Sequence, residues 1–208
     1  MEPTSHAAQD GCAACGHEHL VEFYETEQFL VDSVTDYVVP ALLEDGRAIV
    51  VATPEHRAAF AEVIAARGVD LDSAVYHRRY LAIDAAGMLE MFMVDGMPDR
   101  ERFRSIVTSL IEPRAFGGRD VRVYGEMVAL LWAAGDVTST IALEDLWNEL
   151  ALQHAFSLFC GYPISTFDVQ ARSVFEHICG QHSTVRGAGR DVRVEDLRAD
   201  ERRDGDLV

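Results

Sequence analysis

Apolar residues in this chain fall into short runs separated by longer stretches of helical spacing. Arg47-Ala48-Ile49-Val50-Val51-Ala52 is a nearly continuous apolar run between Gly46 and Pro54, the pattern of a strand covered on both faces. Tyr80-Leu81-Ala82-Ile83, Val121-Arg122-Val123-Tyr124 and Phe156-Ser157-Leu158-Phe159-Cys160 have the same character. Ahead of the first run, Glu25 to Glu44 carries Phe29, Leu30, Val34, Tyr37, Val38, Ala41 and Leu42 at helical spacing. Pro40 within it predicts a kink or two shorter helices. Thr53 is the predicted N-cap, and Pro54 the first residue, of a helix that ends at Gly68. Asp84 introduces a short methionine-rich helix over Met88 to Val94, and Asp99 caps another through Phe103, Ile106, Val107, Leu110 and Ile111. Further helices are predicted over Met127–Ala134, Thr138–His154 and Val169–Gln181. Strands separated by helices of roughly 10–18 residues predict an α/β fold, a mostly parallel sheet with helices on both faces.

The junction after Ala52 limits the chemistry. An ATP-hydrolysing α/β protein needs a glycine loop between strand and helix, so that backbone N–H groups can cradle phosphates, and a lysine to meet them. Here Pro54 and Glu55 follow Thr53, no glycine appears until Gly68, and the chain contains no lysine. The layout is that of a nucleotide-binding fold without its phosphate chemistry. No nucleophile–base pair stands out either, so the expectation is a sensing or binding module and not an enzyme.

The chain has 208 residues, enough for one domain with tails. The expected division is a leader at 1–18, a domain at 19–184 and a disordered charged tail at 185–208. A net charge of −17, from 35 acidic and 18 basic residues, repels nucleic acid backbones and anionic membranes, so neither is an expected partner. No signal-peptide core or membrane-length apolar run is present, and a cytoplasmic location is expected. Four cysteines in such a chain favour thiols or a metal site over a disulfide framework.

Several segments, taken in order, resemble the MEDS family of sensory domains, which occur in methanogen and methylotroph regulators. They are His19-Leu20-Val21-Glu22-Phe23-Tyr24-Glu25, Val51-Ala52-Thr53-Pro54-Glu55-His56-Arg57, Tyr124-Gly125-Glu126-Met127-Val128 with Leu131-Trp132, and Leu143-Glu144-Asp145-Leu146-Trp147-Asn148-Glu149-Leu150. Phe156 to Pro163 and Ile178-Cys179-Gly180-Gln181-His182-Ser183 continue the match, which spans about residues 19 to 183. The resemblance implies a RecA-like α/β fold with a degenerate phosphate loop, used as a sensor. Such domains often precede a histidine kinase or a DNA-binding module. Nothing after His182 is long or apolar enough for an output domain, so a stand-alone sensor is expected. It would act through a partner such as a histidine kinase or transcription regulator, with a homo-oligomer left open. The resemblance supplies no ligand.

The candidate ligand-binding residues are Tyr24, Thr53, His56, Glu126, Trp132, Asn148 and Tyr162, aromatics and polar groups of the kind a small-molecule pocket needs. Glu126 ends a strand, where it can cap the next helix or meet a ligand. Trp147 is expected in the core, as are Met88, Met91 and Met93. The sharpest local signal is Cys12-Ala13-Ala14-Cys15-Gly16-His17-Glu18-His19. Cys12, Cys15, His17 and His19 could bind zinc, with Cys160, Cys179 and His182 as further candidates. A redox-active dithiol, or no special role, stays open for the cysteine pair. The leading function is a sensor that binds a small molecule and signals through a protein partner. The alternatives are a metal- or redox-responsive switch at the Cys/His cluster and a degenerate nucleotide-binding module.

Overall fold

A computed structural model describes residues 18–112, 119–166, 172–187 and 190–193. In chain order they form β1 (His19–Tyr24), α1 (Glu27–Leu43), β2 (Arg47–Ala52), α2 (Pro54–Ala66), α3 (Leu71–Tyr76), β3 (Tyr80–Asp84) and α4 (Ala85–Phe92). A small hairpin, β4 (Met93–Val94) and β5 (Met97–Pro98), leads to α5 (Arg100–Ile111). There follow β6 (Val121–Gly125), α6 (Met127–Ala133), α7 (Val137–Ala151), β7 (Ser157–Pro163), α8 (Arg172–Gln181), β8 (Thr184–Gly187) and β9 (Arg190–Arg193).

The main sheet runs β3-β2-β6-β7-β1-β8-β9, parallel except for β9. Alternation along each strand sends side chains to two separate cores. Leu20, Tyr24, Val50, Tyr124 and Phe159 pack under α1, α2 and α3. Val21, Phe23, Val51, Val123, Cys160 and Tyr162 pack under α4 to α8. Trp147 on α7 is buried in the second core and meets Phe103 edge to face at 5.0 Å, so the expectation of a core tryptophan holds.

Most helix starts follow their caps. Thr53, Asp84, Asp99 and Asp136 each accept a hydrogen bond from the backbone N–H three residues on, satisfying a group the helix leaves free. Pro40 does not divide α1, which runs unbroken from Glu27 to Leu43. Its ring removes the one N–H that would bond to the Asp36 carbonyl, and the helix continues past it for a further three residues. The methionine-rich helix stops at Phe92, and Met93 and Val94 belong to the hairpin.

Besides the β4–β5 hairpin, three strands of the main sheet lie where the sequence pattern predicted none. β1 is the most consequential: His19 and Glu22 interrupt its apolar run, yet all six residues are buried. β8 and β9 fall across the expected start of the tail at residue 185, so the sheet continues to Arg193. Residues 194–208 lie outside the described residues. No helix among the described residues is long and apolar enough to cross a membrane.

Candidate functional site

Two polar clusters stand out, one at the carboxyl edge of the sheet and one inside it. The edge cluster forms where connections diverge. β2 is followed by α2 on one face of the sheet, while its neighbour β6 is followed by α6 on the other. Ligands of open α/β sheets bind at such switch points. Here Glu126, just past β6, meets Thr53, just past β2. The Thr53 N–H donates to Glu126 Oε2 at 2.8 Å, and the Tyr124 hydroxyl donates to Oε1 at 3.0 Å. His56, in the first turn of α2, donates from Nδ1 to Glu126 Oε1 at 2.5 Å and from Nε2 to Glu27 at the start of α1. Hydrogen bonding and charge from Glu126, reinforced by Glu27 against the cost of burial, raise the His56 pKa to about 9. His56 is therefore an imidazolium joining two carboxylates at neutral pH.

Glu126 stands at the N-cap position of α6, but its side chain makes no capping bond. The capping role expected for it is replaced by this reach across to α2. Tyr24 lies alongside, its phenol held above the ordinary range by burial and then by the charges of Glu27 and Glu126. The first βα turn, where a phosphate loop would lie, is the one after β1 and not the one after β2. It consists of Glu25 and Thr26 alone. The absence of a glycine loop holds there as it does after Ala52.

The second cluster lies between β1, β7, α7 and the end of α8. His19, Glu144, Cys160 and His182 are all buried, and one ligand atom from each lies within 4.8 Å of the others. His19 Nε2 is 3.5 Å from Glu144 Oε2 and 3.5 Å from Cys160 Sγ. His182 Nε2 is 3.5 Å from Glu144 Oε2, and Cys160 Sγ is 3.8 Å from it. Their partners fix which atoms face inward. Asp145 accepts from Gln181 Nε2 at 2.6 Å, so Gln181 Oε1 must face Asn148, and it accepts from Asn148 Nδ2 at 2.9 Å. Asn148 Oδ1 is left to accept from His19 Nδ1 at 2.8 Å. His182 Nδ1 donates to the Ile178 carbonyl at 2.7 Å. Both rings therefore carry their proton on Nδ1, and both Nε2 lone pairs point into the cluster.

The Tyr162 hydroxyl donates to Glu144 Oε1 at 2.6 Å, leaving Oε2 facing the histidines. Burial, and for His19 also the neighbouring His182, lowers both imidazoles to about 4. Burial raises the Glu144 carboxyl and pushes the Cys160 thiol well up. Ser183 knits the two histidine-bearing segments together: its N–H donates to His19 O at 2.8 Å and its hydroxyl accepts from His19 N at 2.9 Å.

The residues singled out from sequence thus divide between two places. Tyr24, Thr53, His56 and Glu126 meet at the edge, while Asn148 and Tyr162 support the internal cluster. Trp132 belongs to neither; its indole N–H donates to the Thr166 carbonyl at 3.1 Å. Of the proposed N-terminal metal ligands, His19 lies in the internal cluster, and Cys12, Cys15 and His17 lie outside the described residues. Met88 is core, but Met91 is exposed. A polar groove of about 520 Å³ opens at the amino end of the strands beside α1, lined in part by Glu22, Tyr37, Arg122 and Arg186. None of the seven candidate ligand residues lines it.

Sequence reasoning missed Glu144, which lies at helical spacing from Trp147 and Asn148 in a stripe read as core. A carboxylate on the buried face of an amphipathic helix was the available signal.

The sheet order and covering helices define a RecA-like α/β domain, here with a histidine–carboxylate bridge at the carboxyl edge of its sheet. The chain belongs to the MEDS family, the MEthanogen/methylotroph, DcmR Sensory domain, whose model matches residues 18–182. No curated protein matches the chain.

Proposed function

We propose that this sensory domain works without catalysis: it takes a small molecule at the carboxyl edge of the sheet and passes the event to a signalling protein. The observation that carries this reading is the Glu27–His56–Glu126 bridge at the switch point, beside a two-residue turn without a glycine loop. Through His56 the bridge ties the first turn of α2 both to the first turn of α1 and to Glu126 just past β6. A ligand bearing a hydrogen-bond donor that displaces His56 from Glu126 would free Glu27 and the start of α1. That converts a local exchange of partners into a change on the helical surface, which a histidine kinase or transcription regulator could read. Triphosphates are poor candidates, because the edge presents Glu25, Glu27, Glu55 and Glu126 and like charge repels them.

Calorimetry tests the exclusion, and native mass spectrometry the ligand. Millimolar ATP or ADP with Mg²⁺ is expected to give no saturable heat. A small organic molecule retained by the purified protein is expected to be lost in Glu126→Gln. Saturable nucleotide binding, or ATP turnover abolished by Glu126→Gln, would overturn the proposal.

A further inference from the structure

We propose that His19, Glu144, Cys160 and His182 form a four-coordinate site for a divalent cation of the zinc class. Zinc bonds of about 2.0–2.3 Å set the edges of a ligand tetrahedron at roughly 3.3–3.8 Å. Four of the six donor–donor separations, 3.5, 3.5, 3.5 and 3.8 Å, fall in that range, and all six are within 4.8 Å. The four donor atoms are thus gathered around one point before any ion is bound.

The donor set also balances charge. Zn²⁺ would displace the proton of the Cys160 thiol and bind Glu144 as a carboxylate, while both histidines bind as neutral imidazoles. Two plus charges then meet two minus charges, so the buried site is neutral overall, which a low-dielectric interior requires. An independent observation points the same way. His182 Nε2 is fully buried, aimed into the cluster, and has no hydrogen-bond partner, a state that is costly unless something accepts its lone pair. The outer partners are those that metal sites use: an amide and a backbone carbonyl on the two histidines, and a tyrosine hydroxyl on the carboxylate.

The ligands come from β1, α7, β7 and the residue following α8, so the metal would clamp β1 and the β8 entry to the sheet centre. All four positions are filled by protein. That is the coordination of a structural or sensing site and not of a hydrolytic one, which keeps a place for water. This site is distinct from the edge bridge and does not depend on it.

The test uses the full chain with Cys12→Ser and Cys15→Ser, so that the N-terminal pair cannot supply ligands. Metal analysis after chelator-free purification, or after adding one equivalent of Zn²⁺, is expected to show one metal per chain. Cobalt substitution is expected to give tetrahedral visible bands and a thiolate charge-transfer band. That band should disappear in Cys160→Ser. Affinity should fall at least tenfold in His182→Gln, and about 10–100-fold in Tyr162→Phe, which leaves all four ligands intact. If Cys160→Ser fails to fold, the cobalt spectrum of the parent decides alone. Less than a tenth of an equivalent of metal, a spectrum without thiolate character, or binding indifferent to His182→Gln would overturn the proposal.

Discussion

His56 is held by three elements at once: Glu27 from α1 and Glu126 beyond β6 take its two nitrogens, and Phe60 on its own helix stacks at 5.8 Å. Tyr24 and Tyr124 complete the surround. Because the folded pKa of about 9 lies above the ordinary 6.5, protonation stabilises the fold. That contribution is present in full below pH 6.5 and is lost as pH rises through 9. The melting temperature of the protein is expected to drop over pH 7 to 9.5, and that of His56→Gln to stay flatter over the same window. In Glu126→Gln, NMR titration of the His56 ring should show its pKa falling back toward 6.5, with a stability loss of about 1–3 kcal/mol. An unshifted titration would show that Glu126 does not hold the proton. Residue identity alone could suggest His56 and Glu126 as candidates, but not that they pair. They are 70 positions apart and meet only because β2 and β6 are neighbours.

At the scale of elements, the close approach of β7 to α1 depends on Gly161. A Cβ there would lie 2.9 Å from the Tyr124 hydroxyl and 3.2 Å from Leu30 Cδ1. Tyr124 is fully buried and bonded to Glu126, so it cannot easily give way. Gly161→Ala is expected to cost about 1–3 kcal/mol in chemical denaturation and to disturb the edge bridge through Tyr124. A neutral effect on stability would mean that this packing is looser than the geometry indicates. The capped helices were legible because a cap is local: Thr53 or Asp99 acts within three residues of itself. β1 was not, because its polar positions interrupt the apolar run. His19 serves the internal cluster, and Glu22 faces the other side of the same strand. Parallel strands buried on both faces are recognised by unbroken apolar runs, and residues with specific roles break the run.

For the whole molecule, the two cores flanking the sheet carry most of the stability. Trp147, wedged between Phe103 and Phe156, makes the larger core sensitive to truncation. Trp147→Ala is expected to cost about 3–5 kcal/mol, seen as a lower denaturation midpoint; a loss under 1 kcal/mol would contradict that packing. The sequence by itself determined the fold class, most helices with their caps, and the lack of a phosphate loop, because hydrophobic period, capping and glycine placement are properties of neighbouring residues. Only the tertiary structure decided that the first strand is β1, that His56 bridges Glu27 and Glu126, and that His19, Glu144, Cys160 and His182 converge. Those facts depend on strand order. It brings residues from opposite ends of the domain together, and nothing in their local surroundings encodes the distance between them.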